Sequence, residues 1–391
     1  MHGGSVAERL VVSLDVSAVP NRPAGAGRYI AVLAEHLAAR GDIDLVVWCR
    51  SDDATRWRQL LGSGATIRAE VPRSRPLRLL YERLVLGHRI NALSPSVHHS
   101  PHYTLPGALR VASCVSIMDT TFFDHPELHE ASKVPFFRSA IVRSARRATR
   151  LICISEFTAD RLAEVVEVRV PITVARLGVD LERFTDHVQP SDLEVRADLG
   201  LDPSRRYVAF VSTLEPRKGI IELLEAFDAT ASAHPEVDLV LAGQPGWGSD
   251  AIEAAFARLA HPARVRRLGY VEDVALPALI RGAVALAYPS TAEGFGLPAL
   301  EALACGTPLI TTAGTVMESL VEGAAILVAP RSSPDLRAAL EQLLGAGPDP
   351  ALVAHGLDVA RSHTWARCVD AHVAAYRAAV ADAQGERRRS R

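Results

Sequence analysis

Short runs of β-branched and apolar residues alternate along this chain with longer Ala-, Leu- and Arg-rich amphipathic stretches, and this alternation limits the possible folds most strongly. Such a pattern is typical of βαβ units wound around parallel sheets. It is interrupted once, by a polar and proline-containing stretch over residues 182–206, and then starts again. We therefore predict an α/β protein with two doubly wound sheets in tandem, joined near residue 190.

The predicted strands follow from where the apolar runs fall, and in the first half helices are predicted between them near Arg28–Ala39, Leu77–Asn91, Val134–Thr149 and Ala159–Val165. In the first half the strands are Leu10–Leu14, Leu45–Trp48, Thr66–Glu70, Val97–Ser100, Val111–Ile117, Leu151–Ile154 and Ile172–Ala175. In the second half they are Tyr207–Val211, Asp238–Leu241, Val265–Leu268, Val284–Ala287, Leu309–Thr311 and Ala325–Val328. The domains are predicted as 1–190 and 191–363, and 364–391 as a helix that packs back on the first domain and ends in a basic tail.

Length and composition exclude several classes of protein. The 391 residues suffice for two domains, since one domain usually takes about 100–200. With 48% hydrophobic and 23% charged residues the chain resembles globular proteins, which excludes disordered and fibrous classes. The 43 Lys and Arg nearly balance the 45 Asp and Glu, so binding to nucleic acid through overall charge is not expected.

The cysteines and the apolar runs indicate the compartment. The five cysteines lie far apart without a C-x-x-C pair, which indicates buried thiols in a reducing compartment. Glu8 and Asp15 interrupt the first apolar stretch, which argues against a secretory signal. The longest apolar runs are far shorter than the about 20 residues of a membrane span. We therefore expect a cytoplasmic protein.

The most informative motif is the segment YPSTAEGFGLPALEALACGTP over residues 288–308. A buried strand leads into a Gly-rich loop that contains Glu293, and a helix is predicted to start around Pro298. Gly294 and Gly296 let backbone N–H groups approach a ligand, and the helix N-terminus adds positive potential. Glu301 is expected in the first turn of this helix. The pattern predicts a cradle for a phosphate or sugar, although by itself it also fits an ordinary tight βα turn.

A second motif, STLEPRKG over residues 212–219, follows the first strand of the second half. Its adjacent cations, Arg217 and Lys218, are suited to the developing negative charge of a departing diphosphate. The alternative is a solvated cation pair without a ligand.

Together these motifs resemble the retaining GT-B glycosyltransferases of family 4 (glycosyl transferases group 1), whose signature E-G-F-G-x-x-x-x-E-A spaces two glutamates eight residues apart. The resemblance implies two Rossmann-like domains that face each other across a cleft, the first for the acceptor and the second for a nucleotide-diphosphate sugar. It implies a metal-independent hexosyltransferase without any cofactor beyond this co-substrate. The expected acceptor is a glycan, lipid-linked or small molecule, as in polysaccharide biosynthesis.

The resemblance also implies roles for single residues of the second half. Glu293 would contact the donor sugar, Glu301 the ribose, and Lys218 and Arg217 the phosphates. Ser212 and Thr213 stand where the family usually has Gly-Arg, and the T-L-E-P-R-K version resembles some mannosyltransferases, which favours GDP-mannose. The remaining donor-binding residues are expected to be Thr213, Gly243, Tyr270, Val271, Gly294, Phe295, Gly296 and Leu297.

In the first half the resemblance covers a Gly-rich loop and the end of a strand. Gly25, Gly27 and Arg28 match a family loop that contacts the donor phosphates and acceptor, although a lone Gly-x-Gly also fits an ordinary helix start. Asp119 matches the family and joins the predicted catalytic residues. Met118 stands where the family usually has a histidine. Asp124 or His125 could replace that histidine, or His125 is only an exposed loop residue.

Two further hypotheses concern partners and activity. Arg143, Arg146, Arg147 and Arg150 are predicted to share one helix face, which is either a solvated surface or a contact with anionic membrane. The second of these would place the protein at the inner face of the plasma membrane. The alternatives to transfer are a sugar-nucleotide-binding protein, which the changes at Met118 and at Ser212-Thr213 would allow, and an epimerase on the same fold.

Overall fold

The computed structural model describes residues 9–21, 23 and 25–389, which form two compact units. The first unit contains the chain up to Asp124, Ala131–Leu177 and the segment from Trp365 onward. The second contains His125–Glu130 and Gly178–Thr364. Glu8 and the last two residues of the predicted basic tail lie outside the described residues. Among the described helices none is both long and apolar enough to cross a bilayer.

Each unit is built on one parallel sheet. The strands are β1 (Leu10–Asp15), β2 (Ile43–Arg50), β3 (Ala65–Val71), β4 (Val97–Ser100), β5 (Ala112–Ile117), β6 (Arg150–Cys153), β7 (Ile172–Val174), β8 (Arg206–Val211), β9 (Val237–Ala242), β10 (Val265–Gly269), β11 (Ala285–Tyr288), β12 (Leu309–Thr312) and β13 (Ile326–Val328). The first sheet has the order β3-β2-β1-β4-β5-β6-β7 and the second β10-β9-β8-β11-β12-β13. The predicted fold of two Rossmann-like sheets is confirmed.

Helices connect the strands of both sheets. They are α1 (Ala26–Ala38), α2 (Ala54–Leu61), α3 (Arg75–Tyr81), α4 (Gly87–Leu93), α5 (Thr121–Asp124), α6 (Lys133–Arg147), α7 (Glu156–Val165), α8 (Asp192–Asp198), α9 (Ile220–Ala231), α10 (Ser249–Ala257), α11 (Leu276–Arg281), α12 (Leu297–Ala304), α13 (Val316–Val321), α14 (Ser333–Ala346), α15 (Pro350–Ser362) and α16 (Trp365–Arg389). A π-helical turn, Glu82–Leu86, joins α3 to α4.

The strand order puts a switch point in each sheet. In each sheet the strand order reverses direction between two neighbouring strands. These are β1 and β4 in the first sheet and β8 and β11 in the second. Ligands of such sheets bind beyond the carboxyl ends of the strands at this point. The loops after β8 and β11, and those after β1 and β4, are therefore the places to look for function.

The chain enters the second unit at Gly178, earlier than the predicted passage near residue 190. The polar stretch belongs to the second unit because a buried ion pair holds it there. Arg281 donates to both carboxylate oxygens of Asp192 at 2.7 Å and to the carbonyl oxygen of Thr185 at 2.7 Å. Hydrophobic periodicity does not reveal such a contact, since Asp192 and Arg281 are far apart in sequence.

The last helix, α16, packs against α1 and β5 of the first unit through a buried hydrogen-bond chain. His372 must donate from Nδ1, because its partner at 2.8 Å is the carbonyl of Cys368. Its Nε2 therefore accepts from the hydroxyl of Tyr29 at 2.7 Å. The chain continues from Tyr29 to Ser116 at 2.9 Å and from Ser116 to Nε2 of His99 at 2.8 Å.

The far end of this chain returns to α16. The hydroxyl of Tyr376 lies 2.7 Å from Nδ1 of His99. Every hydroxyl hydrogen finds an acceptor when Tyr376 donates to His99, His99 to Ser116, Ser116 to Tyr29 and Tyr29 to His372. Both histidines are then neutral, and a proton added to either one would leave two donors facing each other.

The buried histidines make the stability of the first unit depend on pH. Burial lowers the pKa of His98 to about 3 and that of His372 to about 4. These values lie below the about 6.5 of an unfolded chain, so the stabilisation is present above pH 6.5 and is lost as the pH falls toward 4. Each histidine can contribute a slope of up to about 1.4 kcal/mol per pH unit.

We therefore expect the free energy of unfolding, measured by urea denaturation, to decrease as the pH is lowered from 7 to 5. His372→Gln should reduce this slope, because one titrating group is removed. His187→Gln is the matched control, since His187 is exposed on the second unit and should leave the slope unchanged. Equal slopes for His372→Gln and the unchanged protein would contradict a neutral, buried His372.

Candidate active site

In the second unit the loops after β8 and β11 meet at the switch point of the sheet. The two strands are adjacent and parallel, with Ala285 opposite Val208. Gly219, with φ of 68°, closes the first loop, and a Cβ there would lie 2.3 Å from the carbonyl oxygen of Pro289. Only glycine permits this approach, which brings Lys218 next to the loop that carries Glu293.

Lys218, Tyr288 and Glu293 form a buried polar cluster. The ammonium of Lys218 donates to Oε1 of Glu293, and the hydroxyl of Tyr288 donates to the same oxygen at 2.6 Å. Lys218 also lies 3.4 Å from the Tyr288 hydroxyl, with its Nζ 5.6 Å from the ring centroid. The side chains of Lys218 and Glu293 are 6% and 11% exposed, so the pair is largely shielded from water.

Arg217 lies beside this cluster and is held by the backbone of the second loop. Its Nε donates to Glu215 at 2.8 Å and its Nη1 to the carbonyl of Ala292 at 2.9 Å. The same Nη1 is 3.7 Å from Oε2 of Glu293. In return, the carbonyl of Arg217 accepts from the amide of Thr291 at 2.9 Å. These contacts place two cations against one carboxylate.

The charges of the cluster fix its protonation. Burial alone would raise the pKa of Glu293, but the positive charges of Lys218 and Arg217 and the hydrogen bonds from Lys218 and Tyr288 lower it to about 2. Burial also raises the pKa of the Tyr288 hydroxyl, which therefore remains a donor. Burial lowers the pKa of Lys218, and the charge of Glu293 opposes this. Glu293 is thus a carboxylate at neutral pH.

The Gly-rich loop runs from Glu293 into α12, so that its backbone N–H groups lie at a helix start. Gly296, with φ of 110°, precedes Leu297 and Pro298 in the first turn. Side chains with a Cβ rarely adopt this φ, and a Cβ on Gly296 would also lie 2.5 Å from the sulfur of Met317, so glycine is favoured at this position. The predicted helix start is confirmed, but the position of Glu301 is wrong: α12 has no acid in its first turn, and Glu301 lies buried one turn further along.

The other predicted donor residues lie at the same edge of the second sheet. A Cβ on Gly243 would lie 1.7 Å from the carbonyl oxygen of Ser212, which brings the loop after β9 against Thr213. The amide of Gly243 donates to the carbonyl of Gly269 at 2.7 Å, directly before Tyr270 and Val271. The sheet order β10-β9-β8-β11 therefore gathers the predicted residues from four successive strands at one edge.

The first unit brings its predicted residues to the carboxyl edge of its own sheet. Gly25 has φ of 49° and starts α1 after β1, with Gly27 packed against Pro20 and Arg28 half-buried. At the end of β5, Met118 is buried. Asp119 is only partly buried, and it accepts hydrogen bonds from the hydroxyl of Tyr103 at 2.8 Å and from Thr121 at 2.7 and 3.0 Å.

Both residues that could replace the expected histidine interact with other side chains in the structure. Asp124 accepts from Thr120 at 2.6 Å and is paired with Arg161. His125 is 44% exposed and lies 3.4 Å from Glu127, so the reading of His125 as an exposed loop residue fits the structure. Sequence reasoning missed Tyr103, whose hydroxyl holds Asp119.

The predicted basic helix face is wrong in one residue. The helix α6 ends at Arg147, and Arg150 is the first residue of β6, where its side chain is 15% exposed and pairs with Asp382 of α16 at 2.7 Å. Arg143, Arg146 and Arg147 are exposed, and Arg146 lies 3.2 Å from Glu167. Three arginines therefore share the surface of α6.

Tyr288 is another site residue that sequence reasoning did not single out. Its ring is buried at the last position of β11, and its hydroxyl joins the two charged residues of the cluster. A polar aromatic residue at the end of an otherwise Ala- and Leu-rich buried strand, directly before the Gly-rich loop, was the signal that could have identified it. Glu215, which orients Arg217, was likewise not identified as a site residue from the sequence.

Known proteins resemble this chain over both units. Residues 191–351 match the family model "Glycosyl transferases group 1" and residues 23–183 match "Glycosyltransferase Family 4". O-antigen chain mannosyltransferase B of Escherichia coli is 28% identical over 72% of this chain and 74% of its own length. A D-inositol 3-phosphate glycosyltransferase of Mycolicibacterium vanbaalenii is 34% identical over 60% of this chain, which spans about half of that relative, 54%.

Solved structures share the fold. Sucrose-phosphate synthase from Thermosynechococcus elongatus has a TM-score of 0.74 at 20% identity, over 95% of this chain and 100% of its own. The Anabaena protein HepE, solved in complex with UDP-glucose, has a TM-score of 0.73 at 18% identity, over 94% of this chain and 98% of its own.

The buried pair predicts a non-additive effect on stability. Lys218→Met should leave Glu293 as a buried, partly unpaired carboxylate and cost about 3 kcal/mol or more in the free energy of unfolding. The double variant Lys218→Met/Glu293→Gln removes both charges and should regain most of this loss. Urea denaturation of the two single variants and the double variant measures the coupling. Simple additivity of the two single effects would show that the pair does not interact in solution.

Proposed function

Since the chain belongs to the glycosyltransferases that the group 1 and Family 4 models describe, we propose that it is a retaining, metal-independent hexosyltransferase with a nucleotide-diphosphate sugar as donor. The observation that carries this proposal is the buried cluster of Lys218, Glu293 and Tyr288, with Arg217 beside it, at the switch point of the second sheet. A carboxylate held by two cations next to the amides of a Gly-rich loop is suited to a ligand with both hydroxyls and phosphates.

The second unit would bind the donor by exchanging partners within this cluster. Lys218 and Arg217 neutralise Glu293 in the structure, and a diphosphate carries more negative charge than a carboxylate. We propose that the diphosphate takes up part of this positive charge and that Glu293 then accepts hydrogen bonds from the sugar hydroxyls. Glu301 would bind the ribose, and the amides of Gly294–Leu297 would cover the phosphates.

In the proposed reaction the bond from C1 of the sugar to the diphosphate oxygen breaks, and the acceptor hydroxyl attacks C1 from the same face. The departing phosphate oxygen takes the proton of that hydroxyl, so atoms and charges balance without a further base. Lys218, Arg217 and the loop amides stabilise the negative charge that grows on the diphosphate. Glu293 orients the sugar and forms no covalent intermediate.

The first unit would bind the acceptor near Asp119. The hydrogen bonds from Tyr103 and Thr121 fix this carboxylate, and its partial exposure leaves it able to orient a hydroxyl. The acceptor is proposed to be a glycan or a lipid-linked saccharide, in line with the printed name of the E. coli relative, an O-antigen chain mannosyltransferase. Arg143, Arg146 and Arg147 of α6 are available to anionic headgroups.

We propose GDP-mannose as the donor. Its support is the TLEPRK segment over residues 213–218 and the mannosyltransferase name of the E. coli relative. The structure of HepE in complex with UDP-glucose favours a different donor, UDP-glucose, as the alternative.

Donor binding can be tested by thermal shift with GDP, UDP, GDP-mannose and UDP-glucose. We expect one nucleotide and its sugar to raise the unfolding temperature, and Arg217→Gln to weaken that nucleotide's binding about tenfold or more because a charged phosphate contact is lost. Arg267→Gln is the matched control, since Arg267 pairs with Glu253 on the surface of the same unit. Unchanged affinity in Arg217→Gln would remove Arg217 from the donor site.

Catalysis can be tested by following transfer to water or to an added saccharide. Glu293→Gln should lower turnover by about 100-fold or more while donor binding survives, because Glu293 acts on the sugar rather than on the nucleotide. NMR of the first-formed product should show that the anomeric configuration of the donor is kept. An inverted product would overturn the retaining mechanism, and donor binding without any turnover would favour a sugar-nucleotide-binding protein.

A further inference from the structure

A row of exposed leucines in the first unit has no role in the proposed transfer. Leu77, Leu80 and Leu84 are 58%, 52% and 57% exposed. Their spacing of three and four residues puts them on one side of the segment formed by α3 and the π-helical turn. Large apolar side chains grouped on a surface usually mark a contact with another apolar phase.

The other side of this segment already holds it in place. Leu86 and Ile90 are fully buried in one cluster with Trp48 and Val71. Next to them the backbone is packed so closely that a Cβ on Gly87 would lie 1.8 Å from the carbonyl oxygen of Gly107. The exposed leucines are therefore not needed to anchor the segment, and their exposure is not explained by folding.

The charges around the row have one predominant sign. Residues 73–93 contain five arginines and a single acid, Glu82. Arg75 and Arg83 are exposed, while Arg73 and Arg89 lie within 3.1 and 3.0 Å of Asp52 and Glu70. The basic helix α6 contributes as well, since Arg143 is close enough to Glu82 to interact with its charge. An apolar row with a basic rim matches acyl chains below anionic headgroups.

The row lies near the carboxyl ends of the strands of the first sheet, where the predicted acceptor residues also lie. Arg78, within the row, donates to the carbonyl of Ser17 just after β1 at 2.9 Å. The amide of Gly107, in the loop between β4 and β5, donates to the carbonyl of Glu82 at 3.2 Å, and the same loop contains the Tyr103 that holds Asp119. A surface that touches this row is thus close to Asp119 within the same unit.

We propose that Leu77, Leu80 and Leu84 dock the first unit onto the surface of an anionic lipid bilayer. The leucines enter the boundary between headgroups and acyl chains, and Arg75 and Arg83 meet the headgroup phosphates. Docking itself is independent of the proposed transfer; only its use, to present a lipid-borne acceptor near Asp119, rests on that function. A second copy of the chain fits this row less well, because two arginine-rich rims would repel each other.

The test is co-sedimentation of the full chain with vesicles of phosphatidylcholine alone or mixed with phosphatidylglycerol. We expect binding to the anionic vesicles that weakens with salt, and a loss of about tenfold or more in Leu77→Ser/Leu80→Ser/Leu84→Ser. The matched control is Leu193→Ser/Val274→Ser, which removes exposed apolar side chains from the second unit and should bind as the unchanged protein does. Arg75→Gln/Arg83→Gln should weaken binding to anionic vesicles only.

Three results would overturn the proposal. These are equal binding by the leucine variant, no binding to anionic vesicles at low salt, and a dimer that the leucine variant dissociates in size-exclusion chromatography. Circular dichroism and the nucleotide thermal shift check that the leucine variant is folded, and both should be unchanged. Because nucleotide binding is measured separately, failure of membrane docking and failure of the proposed transfer give different results.

Discussion

The buried contact between Lys218 and Glu293 is the interaction on which the site of the second unit depends. Opposite charges with so little access to water are tolerated only when each is neutralised and hydrogen-bonded, and here Tyr288 and Arg217 complete the set. The contact requires adjacent β8 and β11 and a glycine at position 219. The strand order, the loop conformations and the ionised state of Glu293 are therefore parts of one arrangement.

Much of the fold could be predicted from periodicity because its strands are buried on both faces. The runs predicted around Val97–Ser100 and Leu309–Thr311 coincide with β4 and β12 almost residue for residue. Helix α2 was not predicted, since it is fixed by tertiary contacts: Trp57 is fully buried and its indole donates to Asp53 at 3.2 Å. Arg150 was assigned to a helix face because its spacing from Arg146 is helical, whereas its partner Asp382 lies far away in sequence.

The site, like the fold, could be predicted only where the residues that matter lie close together in sequence. The residue types and spacing around Glu293 and Lys218 were recognisable because the family signature is local, and the structure brings these residues together. The role of Tyr288 depends on which loops become neighbours, because its hydroxyl contacts both Glu293 and Lys218, and no short segment encodes this. The leucine row could not be predicted for a related reason. Leu77 and Leu86 look alike in sequence, and only the packing of Leu86 against Trp48 shows which of the two is exposed to solvent.

The hydrogen-bond chain through α16 has a consequence for how the protein is made. Tyr376 and His372 are core residues of the first unit, yet the ribosome adds them only after the entire stretch Gly178–Thr364. The second unit is almost continuous in sequence and can close its core during synthesis, since domains fold as units as they emerge. The first unit, although it starts earlier, lacks the partners that Tyr29 and His99 have on α16 until that helix has been synthesised. During translation the second unit is thus completed before the first, although the first unit begins earlier in the sequence.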